Sequence, residues 1–166
     1  MRVAVVMGSL SDLPKLEAMI EILKKYDVTT DVRCLSAHRA HNKLIEFIDE
    51  VNNNGTSVII AAAGMAAALP GVVASQTILP VIGVPISGKN LDGMDALLSI
   101  AQMPPGIPVA TVGINAAENA AILAIQILSN ADMNLAQKFL KYKENLKNKI
   151  VKANEELSKI SYEYKC

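Results

Sequence analysis

Arg2-Val3-Ala4-Val5-Val6-Met7 runs straight into Gly8-Ser9-Leu10-Ser11-Asp12, and that join decides the fold. A nearly continuous apolar run of this length is the pattern of a strand buried on both faces. The turn behind it is rich in glycine and serine, and a helix follows. Ser11 or Asp12 can cap that helix, and Pro14 suits its first turn. Leu16, Met19, Ile20 and Leu23 then recur at helical spacing to about Tyr26. Strand, polar turn and amphipathic helix make half of a βαβ unit.

The unit repeats along the chain. Thr29 to Leu35 is β-patterned and leads through Ser36-Ala37-His38-Arg39 into a helix with the stripe Leu44, Ile45, Ile48 and Val51, stopped by Asn52-Asn53-Asn54-Gly55. Ser57 to Ala61 reads as a third strand, and residues 62–71 as a small-residue turn opening a third helix. Pro80 to Pro85 is a fourth strand, followed by the loop 86–93 and a short helix, Met94 to Ala101. Pro108 to Gly113 is a fifth strand and Glu118 to Leu128 a helix. From Asp132 a long helix rich in Lys and Glu follows, whose apolar residues Leu135, Phe139, Leu140, Leu146, Ile150 and Leu157 are too sparse to build a core alone. This alternation predicts an α/β fold: a three-layer α/β/α sandwich with a parallel, flavodoxin-like doubly wound sheet and a long C-terminal helix. A single domain over residues 1–166 is expected, with a core of about 1–130 and a helical extension of about 132–166.

Composition narrows the function. The chain has 166 residues, 51% of them hydrophobic, enough to bury a substantial core. Its 16 basic and 16 acidic residues cancel, so no overall attraction to nucleic acid or an anionic membrane is expected. An anion would have to be held by local groups. No apolar run is long enough to span a bilayer and no leader pattern opens the chain, which reads as cytoplasmic. Cys34 and Cys166 lack metal-ligand spacing and read as a small buried residue and a tail thiol.

Three polar or glycine-rich turns fall at consecutive strand ends: 8–12, 36–39 and 63–71. In open parallel sheets ligands bind at such ends. Gly8 lets the backbone approach a ligand, and Ser9 and Ser11 offer hydroxyls beside a helix start, a natural phosphate seat. Asp12 can cap that helix or accept hydrogen bonds from a ribose diol. Ser36, His38 and Arg39 put a hydroxyl, an imidazole that titrates near neutrality and a guanidinium into four residues. His41 reads as a surface residue at a helix start, and the loop bearing Lys89 and Asp92 as solvated. No Walker run, no Gly-x-Gly-x-x-Gly, no Gly-x-Ser-x-Gly elbow and no metal-ligand cluster occurs. What remains is a small phosphorylated ligand and one proton-transfer group, with no metal and no cofactor.

These motifs carry a family resemblance. Met-Gly-Ser-x-Ser-Asp at 7–12, Ser-Ala-His-Arg at 36–39, Ala-Leu-Pro-Gly at 68–71, Pro-Val-Ile-Gly-Val-Pro at 80–85, Gln-Met-Pro-x-Gly-Ile-Pro-Val-Ala-Thr at 102–111 and Asn-Ala-Ala-Ile-Leu-Ala at 119–124 resemble the class I N5-carboxyaminoimidazole ribonucleotide mutases of purine biosynthesis, colinearly over residues 2–130. The resemblance implies a cofactor-free isomerase that moves a carboxylate from the exocyclic nitrogen of a phosphorylated aminoimidazole ribonucleotide to ring C4, through release and recapture of carbon dioxide. It implies His38 as the general acid/base, Ser11, Ser36 and Arg39 on the phosphate and Asp12 on the ribose. Ser9, with Ala63 and Gly64, would line the carboxylate and base, and Gly8, Ala37 and Leu69 would complete the substrate site. It also implies a homo-octamer. Arg39 is the residue of the mutase class; the related class that carboxylates the ribonucleotide directly usually has Lys there. Four positions depart from the family pattern: Ala68 stands where the imidazole of a histidine is usual, Met65 where Gly is frequent, and Ala40-His41 in place of Thr-Pro. Direct carboxylation and a catalytically weakened, ribonucleotide-binding relative are the alternative readings.

Overall fold

A computed structural model describes residues 1–161. The first of its two compact units, Met1–Leu128, is built on a five-stranded, wholly parallel sheet of order β2-β1-β3-β4-β5. The strands are β1 (Arg2–Met7), β2 (Thr29–Cys34), β3 (Thr56–Gly64), β4 (Val81–Ile86) and β5 (Ala110–Thr111). The helices joining them are α1 (Leu13–Lys25), α2 (His41–Asn53), α3 (Leu69–Ala74) and α4 (Met94–Ala101), with α5 (Ala117–Ser129) after β5. The chain steps from β1 outward to β2, then back across β1 to β3. That reversal makes the carboxyl ends of β1 and β3 a topological switch point, where crevices form in such sheets.

Side chains alternate across each strand, so both faces of the sheet are covered. Ala4, Val6, Ile59, Ala61 and Ala63 pack with Leu44, Phe47, Ile48 and Val51 of α2, Leu69 and Val73 of α3, and Ala96 and Ile100 of α4. The other face is left to the buried stripes Leu16, Met19 and Leu23 of α1 and Ala120, Ala124 and Ile125 of α5. Small residues let the helices lie close. At Gly83, in the middle of β4, a Cβ would overlap Ile100 Cγ2 and stand 2.8 Å from Val109 Cγ1. Both neighbours are branched side chains with little room to yield. Gly83→Ala is therefore expected to lower the unfolding free energy by about 1–3 kcal/mol. Denaturant unfolding checks this, and an unchanged midpoint would mean that α4 moves aside freely.

Several expectations from the sequence need correction. Ala62, Ala63 and Gly64 were expected in a turn, but they continue β3, each paired with β4 (Ala62 with Val84, Ala63 with Pro85, Gly64 with Ile86). Gly64 is needed there, because a Cβ would stand 3.0 Å from the Ile86 carbonyl oxygen. The fifth strand is two residues long rather than six; it lies at the sheet edge, and Pro108 has no N–H to donate to a ladder. Cys34 is exposed, not buried, because β2 is the opposite edge strand and neither of its faces is fully covered. Cys166 lies outside the described residues.

The second unit, Ser129–Cys166, holds α6 (Met133–Ser158). Asp132 caps it, its Oδ1 accepting from the N–H groups of Asn134 at 2.9 Å and Leu135 at 3.0 Å. Within the helix, Phe139 stacks on Tyr142 with ring centroids 5.9 Å apart, and the Lys143 ammonium lies 5.4 Å from the Phe139 ring. Among the described residues no helix is long and apolar enough to cross a membrane.

Candidate active site

The carboxyl end of β1 is the hub. Two backbone hydrogen bonds carry its ladders one residue beyond the strands: the Gly8 N–H donates to the Ala62 carbonyl at 3.1 Å, and the Leu35 N–H donates to the Met7 carbonyl at 2.9 Å. The exits of β1, β2 and β3 are thereby held side by side. A Cβ on Gly8 would meet nothing closer than Leu69 Cδ2, at 3.9 Å. The packing of the protein itself does not demand glycine there.

The first turn is locally wired. Ser9 and Ser11 hydroxyls share a hydrogen bond of 2.8 Å, and the Ser11 N–H donates to Ser9 Oγ at 3.3 Å. It is Ser9 that caps here, over a short 3-10 turn, Leu10–Asp12. Asp12 occupies the N-cap of α1 but makes no capping bond with its side chain, whose Oδ1 accepts from the Ser11 hydroxyl at 3.5 Å. Burial pushes that carboxyl above the usual carboxylate range; the Lys15 charge opposes the push, as do the backbone of Ser9 and the hydroxyl of Ser11. A carboxyl raised in this way favours folding while protonated and loses that benefit as pH rises through its folded-state value. At neutral pH the carboxylate is thus a cost to the free protein.

The second turn closes on itself and on the first. The Ala40 N–H donates to the Ser36 carbonyl at 2.9 Å, and the Arg39 N–H donates to Ser36 Oγ at 3.3 Å. The Arg39 guanidinium reaches across to donate to the Gly8 carbonyl at 3.4 Å. Ala37 tucks against the hydrophobic core, which leaves its neighbours His38 and Arg39 projecting into solvent. His41 is exposed at the start of α2, as its sequence position suggested.

The third turn follows β3. Ala63 and Leu69 are buried and Gly64 half-buried, so Leu69 forms an apolar wall beside Gly8. Met65 takes left-handed backbone geometry, with φ 58°. That explains why glycine suits the position: for a methionine this region costs roughly 1–2 kcal/mol. Ala68 is exposed at the N-cap of α3 with ordinary right-handed backbone, leaving room for a larger side chain.

Gly8, Ser9, Ser11, Asp12, Ser36, Ala37, His38, Arg39, Ala63, Gly64 and Leu69 therefore lie at or just beyond the carboxyl ends of β1, β2 and β3. Three residues that the motifs did not single out link the exits of β4 and β5 to the first turn of α1. The Lys15 ammonium donates to the Ser87 carbonyl and hydroxyl, and Asn115 bonds the same serine. The available signal was Lys15 itself, a cation in the first turn of a helix. Lys89 and Asp92 are exposed on the loop after β4. Among the described residues no group of three or more His, Cys, Asp or Glu side chains is placed to hold a metal.

A wholly parallel sheet of flavodoxin-like order, with hydroxyl, guanidinium and imidazole groups collected at its switch point, defines the class: a flavodoxin-like α/β protein. The family model described as AIR carboxylase matches residues 2–149. The N5-carboxyaminoimidazole ribonucleotide mutase of Methanocaldococcus jannaschii is 52% identical over 158 residues, 95% of this chain and 98% of the relative. The mutase of Pyrococcus abyssi is 50% identical over 146 residues, 88% of this chain and 84% of the relative. The crystal structure of Treponema denticola PurE superposes with a TM-score of 0.87 at 29% identity, covering 94% of this chain and 98% of that one. The chain belongs to the AIR carboxylase family.

Proposed function

We propose that this chain is an isomerase of purine biosynthesis, converting N5-carboxyaminoimidazole ribonucleotide to 4-carboxy-5-aminoimidazole ribonucleotide. The observation that carries the reading is the Arg39–Gly8 bridge, which sets the histidine turn against the serine- and aspartate-bearing turn at the switch point. Ser11, Ser36 and Arg39 hold the phosphate, with the guanidinium as the charged member. Asp12 accepts from the ribose hydroxyls. Ser9, Ala63 and Gly64 line the carboxylate and base, while Gly8, Ala37 and Leu69 shape the wall.

The reaction rearranges atoms without oxidation. The bond between the exocyclic nitrogen and the carboxylate breaks, carbon dioxide leaves, and the nitrogen takes up a proton. The electron-rich C4 then attacks carbon dioxide, and the C4 proton departs. One proton is gained and one lost at neighbouring atoms, so a single imidazole, His38, serves as acid and then as base. Reactant and product are isomers, which balances the step without ATP, redox partner or metal. Exclusion of water keeps the carbon dioxide in place for recapture.

Self-association, as a homo-octamer, is supported by apolar side chains left exposed on the first unit: Met94 and Leu98, four residues apart on α4, are 49% and 51% exposed, and Leu91, just before that helix, is 72% exposed. The cytoplasm suits a phosphorylated intermediate, whose charge keeps it from crossing a bilayer. The 166 residues form one functional domain, the α/β core with its helical extension.

Turnover of N5-carboxyaminoimidazole ribonucleotide without ATP, metal or added bicarbonate tests the reading, run on this chain and on Ala68→His. Turnover by this chain is the expected result. Turnover by Ala68→His alone would mark a weakened relative, and an absolute need for bicarbonate a direct carboxylase. Inactivity of both would overturn the assignment.

A further inference from the structure

Lys15 stands at the wrong end of its helix. It lies in the first turn of α1, the positive end of the helix dipole, where a cation is disfavoured. It is nevertheless fixed there: its ammonium donates to the Ser87 carbonyl at 2.7 Å and to Ser87 Oγ at 3.0 Å. Ser87 is held in turn by Asn115, whose Oδ1 accepts from the Ser87 N–H at 3.0 Å and whose Nδ2 donates to Ser87 Oγ at 2.8 Å. Asn115 has left-handed backbone, φ 56°, and its own N–H donates to the Pro85 carbonyl at 2.8 Å. The exits of β1, β4 and β5 are thus joined at one lysine, three residues from Asp12.

We propose that Lys15 is a positioning residue for the ribose end of the site, anchored by Ser87 and Asn115 so that its charge keeps the Asp12 carboxylate ready to accept from substrate hydroxyls. The inference rests on the reading of Asp12 under Proposed function. A carboxyl that burial drives toward its protonated form would present a donor where two hydroxyl donors must be received. Lys15 is the charged group that counters this. A freely rotating lysine would be swept into water, whereas two hydrogen bonds to Ser87, itself clamped by Asn115 from a second loop, keep this one in place. The other charged or titratable groups on the adjoining connections are Arg39, which reaches the Gly8 carbonyl, and His38 on the β2–α2 turn, with Lys89 and Asp92 exposed on the loop that carries Ser87.

The test combines a carbon-13 NMR titration of the Asp12 carboxyl with the pH profile of kcat/KM, on the full-length protein and on Lys15→Met, Lys15→Arg and Asn115→Ala. In Lys15→Met the Asp12 midpoint is expected to move to higher pH, with the acid limb of kcat/KM following it. KM should carry the change while kcat above the limb stays level. Lys15→Arg should restore most of the wild-type profile, and Asn115→Ala should give a smaller shift of the same sign. A midpoint that does not move in Lys15→Met overturns the proposal, as does a uniform loss of activity at every pH. A midpoint that moves without the acid limb also overturns it, and locates the fault in the ribose role of Asp12. If wild-type protein neither turns over nor binds the ribonucleotide, the enzymatic reading fails, and the midpoint still decides the link between Lys15 and Asp12.

Discussion

His38→Asn is expected to stop turnover while leaving ribonucleotide binding and thermal stability close to wild type. The imidazole is exposed in a turn whose closure depends on Ser36, through the Ala40 and Arg39 N–H groups. Nothing in the fold therefore rests on the ring. Asparagine keeps a comparable polar volume but cannot exchange a proton at neutral pH. General acid–base groups contribute about 10²–10⁴-fold, and with one group proposed for both proton transfers a loss at the upper end is expected. Steady-state turnover beside equilibrium binding of the product separates the two effects. Turnover retained within a few-fold would remove His38 from the mechanism.

Arg39→Ala is expected to act on affinity first. A charge-assisted hydrogen bond contributes about 1.5–3 kcal/mol, which corresponds to roughly 10- to 150-fold in Kd. The guanidinium also donates to the Gly8 carbonyl, so its removal loosens the turn that bears Ser9 and Ser11. Arg39→Lys should recover only part of the loss, because an ammonium supplies charge without the planar fork. Titration calorimetry with the ribonucleotide product provides the measurement. An unchanged Kd in Arg39→Ala would contradict its place on the phosphate.

The short-range rules placed the strands and helices well where burial is uniform. β1, flanked on both sides, matches its apolar run residue for residue, and α4 falls on Met94–Ala101 as its pattern suggested. The misses share a cause. Alanine and glycine are poor strand formers in isolation, yet Ala62, Ala63 and Gly64 are strand residues because β4 pairs with them. Cys34 and the curtailed β5 were misjudged because nothing local announces which strands lie at the edges. The candidate site was legible as three turns, since each advertises itself by glycine, serine or charge. Their mutual arrangement was not. The Arg39–Gly8 contact joins residues 31 apart and the Lys15–Ser87 contact residues 72 apart, and such separations leave no trace in spacing.

The pairing of β4 with β3 also bears on how the chain leaves the ribosome. The three turns at the ends of β1, β2 and β3 have all been synthesised by residue 71. Until β4 arrives, however, β3 presents the backbone of Ile59 to Gly64, six residues that β4 later covers, as an open apolar edge. Such an edge is a template for pairing with another nascent chain. Ile86, the last residue of β4, comes 22 residues after Gly64 (86 − 64), and at about 5–20 residues per second that edge stays open for roughly one to four seconds of translation. Slow codons or a pause in this interval would raise the risk of co-aggregation, whereas a pause after Ile86 would be harmless by the same logic.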